Sequence, residues 1–169
     1  MFNRYGDITK FITNEDKLEV VDNEVYISGE SDYDIAIDLE GCYDTFENLK
    51  SFIVIVAKHI CEMDNIVLKF NNTERGRNIP VSHIRIPSLY YLRLDYSKLM
   101  AEPIKKVEED FPFTLEVIYI EKPDFVTFDY WATNVNDQFC VTFEYKEGKF
   151  FLRTYGAYEN IPDDCDRNL

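Results

Sequence analysis

Glycine and proline are scarce, at 6 residues each in a chain of 169, and tryptophan occurs once. That scarcity excludes collagen-like and low-complexity classes, which need those residues in quantity. Long apolar runs are missing as well. The longest, Phe52-Ile53-Val54-Ile55-Val56-Ala57, is far too short to span a bilayer. No apolar run stands behind Arg4 near the start, so no signal peptide is read there. The expected location is cytoplasmic. Basic residues are few, with 18 Lys+Arg against 32 Asp+Glu and a net charge of −14. A sequence-independent grip on DNA or RNA needs phosphate neutralised by Lys and Arg, so nucleic acid is not an expected partner. Docking on an anionic membrane surface is disfavoured on the same ground.

Local catalytic signatures are missing too. No P-loop, G-x-G-x-x-G, G-x-S-x-G or H-E-x-x-H pattern occurs. The four cysteines, Cys42, Cys61, Cys140 and Cys165, are scattered without a C-x-x-C pair. In a reducing compartment they read as free thiols, with Cys61 and Cys140 as small core hydrophobes. His59 and His83, the two histidines, have no ligand spacing around them. No metal and no cofactor is therefore expected.

What the chain does hold is apolar material. Hydrophobic residues make up 46% and aromatics 15%, ample for one packed core and incompatible with global disorder. No linker or repeat divides residues 1–169, which read as a single domain. The polar tail 162–169 is expected to fray.

Two strands are expected within residues 18–39. Leu18–Ile27 is rich in β-branched residues, with a turn at Asp22-Asn23. Tyr33–Leu39 alternates, with Tyr33, Ile35, Ile37 and Leu39 on one face and Asp34, Ala36 and Asp38 on the other. Such alternation points to a half-buried antiparallel strand. The main helix is expected at about 45–63, since Phe46, Leu49, Ile53, Val56, Ile60 and Met63 recur every three or four residues. Asp44 is its expected N-cap, with Glu47 three residues on. Further strands are expected at Ile66–Phe70 and Leu89–Tyr96, around the polar loop Asn71–Asn78, and a short helix after Pro103.

The C-terminal third reads as a four-strand meander: Leu115–Glu121, Phe125–Trp131, Gln138–Tyr145 and Lys149–Tyr155. Pro123-Asp124, Asn134–Asp137 and Lys146-Glu147-Gly148 supply the turns. Strand pairs in sequence plus one long helix give an α+β fold, with a mostly antiparallel sheet and the helix packed on it. Most of the 12 Tyr and 13 Phe are needed to fill that interior. The tyrosine excess also suits a contact surface.

The acidity is unevenly spread. Residues 13–47 hold twelve acids and one base, Lys17, a net −11, while residues 61–110 balance at zero. If the two N-terminal strands pair, Glu24, Tyr26, Asp34 and Asp38 share an outer face, and the turn adds Glu30 and Asp32. Such a patch steers a basic protein partner, and Glu24, Tyr26, Asp32, Asp34 and Asp38 are the candidate partner-binding residues. The plainer reading is a solubilising surface.

Two resemblances bear on function. Ser31-Asp32-Tyr33-Asp34-Ile35 looks like the Asp-x-Asp strand of nucleotidyltransferases, with Asp95 as a candidate third carboxylate. That family's upstream Gly-Ser turn is missing, since Ile27-Ser28-Gly29-Glu30 precedes Asp32 here. Phe128–Phe150, with Tyr130-Trp131, then Asn134-x-x-x-Gln138-Phe139, then Phe143-Glu144-Tyr145-Lys146-x-Gly148-Lys149-Phe150, resembles small acidic bacterial α+β domains of unknown function. Some of those accompany polymorphic toxins as immunity proteins. The resemblance implies an immunity-like protein, and joined to the −11 stretch it gives the expectation of a non-enzymatic protein-binding domain whose acidic strand face neutralises a basic toxin. The alternatives are a nucleotidyltransferase-like metal enzyme and a structural or oligomeric protein.

Overall fold

The structure is a computed structural model that describes residues 18, 20–28, 34–42, 44–72, 98, 101, 113–132 and 137–157. Its elements run β1 (Glu24–Ser28), β2 (Asp34–Asp38), α1 (Phe46–Asn72), β3 (Phe113–Lys122), β4 (Phe125–Ala132), β5 (Asp137–Lys146) and β6 (Lys149–Ala157). The strands form one six-stranded sheet in sequence order. β1–β2, β3–β4, β4–β5 and β5–β6 are antiparallel; β2–β3 is parallel. This is the expected α+β fold with its C-terminal meander. One refinement concerns β2, which pairs antiparallel with β1 on one side and parallel with β3 on the other. Helix α1 lies in the connection between β2 and β3, and a crossover of that kind is what lets two strands run parallel.

The turns follow their chemistry. Asp22 and Asn23 both take positive φ, 53° and 67°, and Val21 and Glu24 exchange backbone hydrogen bonds of 3.0 and 2.9 Å across them. Asx residues tolerate that region best after glycine. Between β5 and β6, Glu147 (φ 54°) and Gly148 (φ 78°) make the equivalent reversal. Pro123-Asp124 turns β3 into β4, with Asp124 at φ 67°, the pattern of a type II turn.

Helix α1 is nine residues longer than expected at its C-terminal end, running to Asn72 instead of Met63. The segment Ile66–Phe70, read above as a strand, is helical. Ile66 and Val67 favour β structure by propensity. They nevertheless continue the stripe Ile60, Met63, Val67, Phe70 at helical spacing, and burial of that stripe prevails. All of these are buried. The cap also differs. Thr45 is the N-cap: its hydroxyl accepts from Asn48 N at 3.4 Å, and its carbonyl accepts from Leu49 N at 3.1 Å. Asp44 stands one position outside and braces the start, accepting from Thr45 N at 2.8 Å and Asn48 Nδ2 at 2.7 Å. Those bonds hold its carboxyl below the usual range, with Asn48 the larger cause.

One face of the sheet meets α1. Val25, Ile35, Ile37, Leu115, Ile118, Ile120, Val126, Phe128, Tyr130, Val141, Phe143, Phe150 and Leu152 form one buried cluster with Leu49, Ile53, Val56, Ile60, Met63, Ile66, Val67 and Phe70 of the helix. Phe128 and Phe143 meet edge-on at 5.5 Å, and Tyr145 and Phe150 lie 4.8 Å apart, favoured aromatic arrangements. A buried polar tie joins helix and sheet, with Tyr130 Oη donating to Asp64 Oδ1 at 2.9 Å. From Met63 to Leu68 every residue of the helix is buried.

Cys42, Cys61 and Cys140 are free thiols, as expected; Cys165 lies outside the described residues. So do His83, the expected strand Leu89–Tyr96, the helix after Pro103, the turn residues 133–136 and the tail 162–169. Of the expected loop Asn71–Asn78, Asn71 and Asn72 end α1 and the rest lies outside. Among the described residues no helix is long and apolar enough to cross a membrane.

Candidate functional site: the acidic face of β1 and β2

Strand alternation sorts the hairpin into two faces. Val25, Ile35 and Ile37 are buried in the core, so their neighbours in sequence face away from it. The register sets Glu24 opposite Asp38, Val25 opposite Ile37, Tyr26 opposite Ala36 and Ser28 opposite Asp34. Directly opposed residues share a face. Glu24, Tyr26 and Asp38 therefore stand together on the outer face, as the alternation predicts. Asp34 occupies the expected strand position through its pairing with Ser28, and Asp32 lies outside the described residues.

Two carboxylates thus face each other at Glu24 and Asp38. Each finds a local hydrogen bond. The Tyr26 hydroxyl donates to Glu24 Oε2. Asp38 Oδ1 accepts from Glu40 N at 2.7 Å, which fixes the turn that leaves β2. Neither bond involves a cation. Tyr26 is 57% exposed and Val21, at the turn before β1, is 56% exposed; these are the two exposed large hydrophobic residues among those described. Both belong to the segment with the highest negative charge. Val21 was not among the sequence candidates. Its signal was its position immediately before Asp22-Asn23, where a turn residue leaves no room in the core.

The nucleotidyltransferase alternative requires Asp32, Asp34 and Asp95 to converge. Asp32 and Asp95 lie outside the described residues. Among the described residues no group of three His, Cys, Asp or Glu is placed to hold a metal ion. His59 sits at the rim between helix and sheet, not on an open surface. Its Nδ1 lies 2.8 Å from Ile55 O, its ring 5.5 Å from that of Phe150, and its Nε2 3.8 Å from Glu62.

A second polar group was not foreseen from sequence. Asp129 of β4 and Cys140 of β5 are registered partners on the face away from α1, and Cys140 Sγ donates to Asp129 Oδ1 at 3.4 Å. Both are buried. Burial, reinforced by the charge of Glu116, raises the Asp129 carboxyl to about 6 even though the thiol bond acts the other way. Burial and the neighbouring Asp129 charge push the Cys140 thiol up. A thiol so disfavoured as thiolate is a poor nucleophile.

No protein-family model matches the chain, and no curated protein and no solved structure matches it either. The fold and the hairpin define an α+β sheet protein with an acidic edge.

Proposed function

We propose that this chain is a non-enzymatic protein-binding domain that meets a basic partner through the outer face of β1 and β2. The observation that carries the reading is the direct opposition of Glu24 and Asp38, flanked by a tyrosine left 57% exposed. Like charges directly opposite on a sheet destabilise it. A solubilising surface is satisfied by charges placed anywhere and has no need of that arrangement. A half-covered phenol amid carboxylates is the composition of a contact centre, an aromatic anchor with a charged surround.

The toxin-neutralising form of this function fits the same chemistry. A nuclease toxin binds phosphate with Lys and Arg, and an acidic strand face competes for those residues. Glu24, Tyr26, Asp32, Asp34 and Asp38 would steer and pair charges; no bond is made or broken. The test is co-expression with each protein encoded beside this one, followed by co-purification. A basic neighbour should co-purify with the native chain and not with a variant carrying Asp32→Lys, Asp34→Lys and Asp38→Lys. Equal recovery with both chains removes the patch from the contact.

A further inference from the structure

The outer face of the hairpin does not end at β2. Parallel pairing sets Ala36 beside Val117 and Asp38 beside Tyr119 of β3, while antiparallel pairing sets Ala36 beside Tyr26 and Asp38 beside Glu24 of β1. Registered partners share a face. Two rows therefore cross three strands: Glu24, Asp38 and Tyr119 form one, and Tyr26, Ala36 and Val117 the next. β3 also carries a bulge at this level. Leu115 pairs with Tyr130 and Val117 with Asp129, which leaves Glu116 as the additional residue. Leu115 and Ile118 both belong to the core, so Glu116 and Val117 turn outward together. Further across the same face Cys140 and Thr142 of β5 are buried. The face opens on the side of β1 to β3, where Tyr26 and Glu116 are exposed.

The centre of this face is its lowest point. Ala36 has a single side-chain carbon and stands among larger groups: Tyr26 and Val117 on the flanking strands, and Asp38 two residues on. Alanine is depleted in strands, where β-branched and aromatic residues pack better; Ile35 and Ile37 on either side follow that preference. Neighbouring strands lie about 4.8 Å apart and alternate residues about 7 Å apart, so the hollow over Ala36 is about one side chain wide. Its surround is of two kinds. Tyr26, Val117 and Tyr119 are aromatic or apolar, and Glu24, Asp38 and Glu116 are anionic. The Tyr26 hydroxyl donates to Glu24 Oε2, which holds the ring beside the carboxylates.

We propose that the face of β1 to β3 docks an arginine side chain of the basic protein partner, seated over Ala36; this rests on the reading of the acidic face given above and names the residue type that anchors it. Charge complementarity selects a cation. The aromatic and apolar surround selects which one. A guanidinium is planar, weakly hydrated and stacks on aromatic rings, whereas an ammonium is a compact and strongly hydrated point charge. A guanidinium laid against Tyr26 turns its N–H edge toward Glu24 and Asp38, and such an edge pairs with a carboxylate through two hydrogen bonds. A residue larger than alanine at position 36 fills the seat without altering any charge. Glu24 and Asp38 then govern the rate of encounter, and Ala36, Tyr26 and Val117 govern which cation the face retains.

The test titrates the full chain with two peptides of equal charge, hexa-arginine and hexalysine, at low salt, and follows the Ala36 and Val117 methyl signals by NMR. The native chain should bind hexa-arginine at least fivefold tighter than hexalysine, with both methyl signals moved by hexa-arginine alone. Ala36→Leu should bring the two affinities to parity while leaving that for hexalysine unchanged, and Tyr26→Leu should erase the preference as well. If Ala36→Leu fails to fold, the methyl signals of the native chain decide. Equal affinities in the native chain overturn the proposal, and so does a preference that survives Ala36→Leu. Equal affinities lowered alike by Glu24→Gln and Asp38→Asn would overturn the arginine seat and leave the acidic contact face standing. Binding of neither peptide would overturn both.

Discussion

Glu24 and Asp38 stand directly opposite one another on the outer face of β1 and β2, two carboxylates in a pairing position where a sheet ordinarily gains from opposite charges. Relieving that opposition should stabilise the free protein while weakening its partner contact. Glu24→Gln is expected to raise stability by about 0.5 kcal/mol in low salt, with the gain fading as salt screens the pair. Urea denaturation of both chains at two salt concentrations measures it. Asp38→Asn keeps an oxygen for Glu40 N and should behave alike. Asp38→Ala loses that bond, and about 1 kcal/mol with it.

Asp129 makes stability depend on pH. Its carboxyl titrates at about 6 in the folded chain against an ordinary 3.8. The folded state therefore holds more protons than the unfolded state between those values. Stability attributable to this group falls as pH rises from about 4 to 6 and is level above. Asp129→Asn keeps an acceptor for Cys140 and removes the titration. Its stability relative to the native chain should grow by about 2 kcal/mol between pH 4 and pH 7, read from paired denaturation curves.

Thr45 begins α1 in place of the expected Asp44. Thr45→Ala should cost about 1 kcal/mol, whereas Thr45→Ser should be close to neutral. Thermal unfolding with far-UV dichroism distinguishes the two. If Asp44→Ala were the costlier substitution, the cap would be misassigned.

Gly148 turns β5 into β6 at φ 78°, and a Cβ there meets nothing within 4 Å. The cost of a side chain is thus purely one of backbone conformation. Gly148→Ala should destabilise by about 1 kcal/mol, and Gly148→Asn by less, since Asn visits that region more readily. Equal midpoints in denaturant would contradict this.

The meander was legible because each of its strands alternates over a continuous segment and is bounded by residues that favour tight turns. The two acidic strands were legible for the same reason: Val25, Ile35 and Ile37 point inward, and the residues between them must then point out. The register that sets Glu24 against Asp38 was not, because pairing depends on the connection between the strands and not on either strand alone. Ile66–Phe70 misled through β propensity, although the helical stripe that overrode it was present in Met63, Val67 and Phe70. The parallel pairing of Ala36–Asp38 with Val117–Tyr119 joins segments far apart in the chain, and no local pattern announces it. The burial of Asp129 and Arg153 is equally invisible in sequence, where both read as outward residues of alternating strands. It arises because the face away from α1 is also closed to solvent at Cys140, Thr142 and Thr154.

The acidic face is tested most directly by association kinetics with a basic protein encoded beside this one. Rate constants for the native chain and for Glu24→Lys/Asp38→Lys would be measured at low and physiological salt. The expected result is an association rate at least tenfold lower in the variant, with most of the salt dependence gone. Equal rates and equal salt dependence in the two chains would contradict a role for Glu24 and Asp38 in the contact.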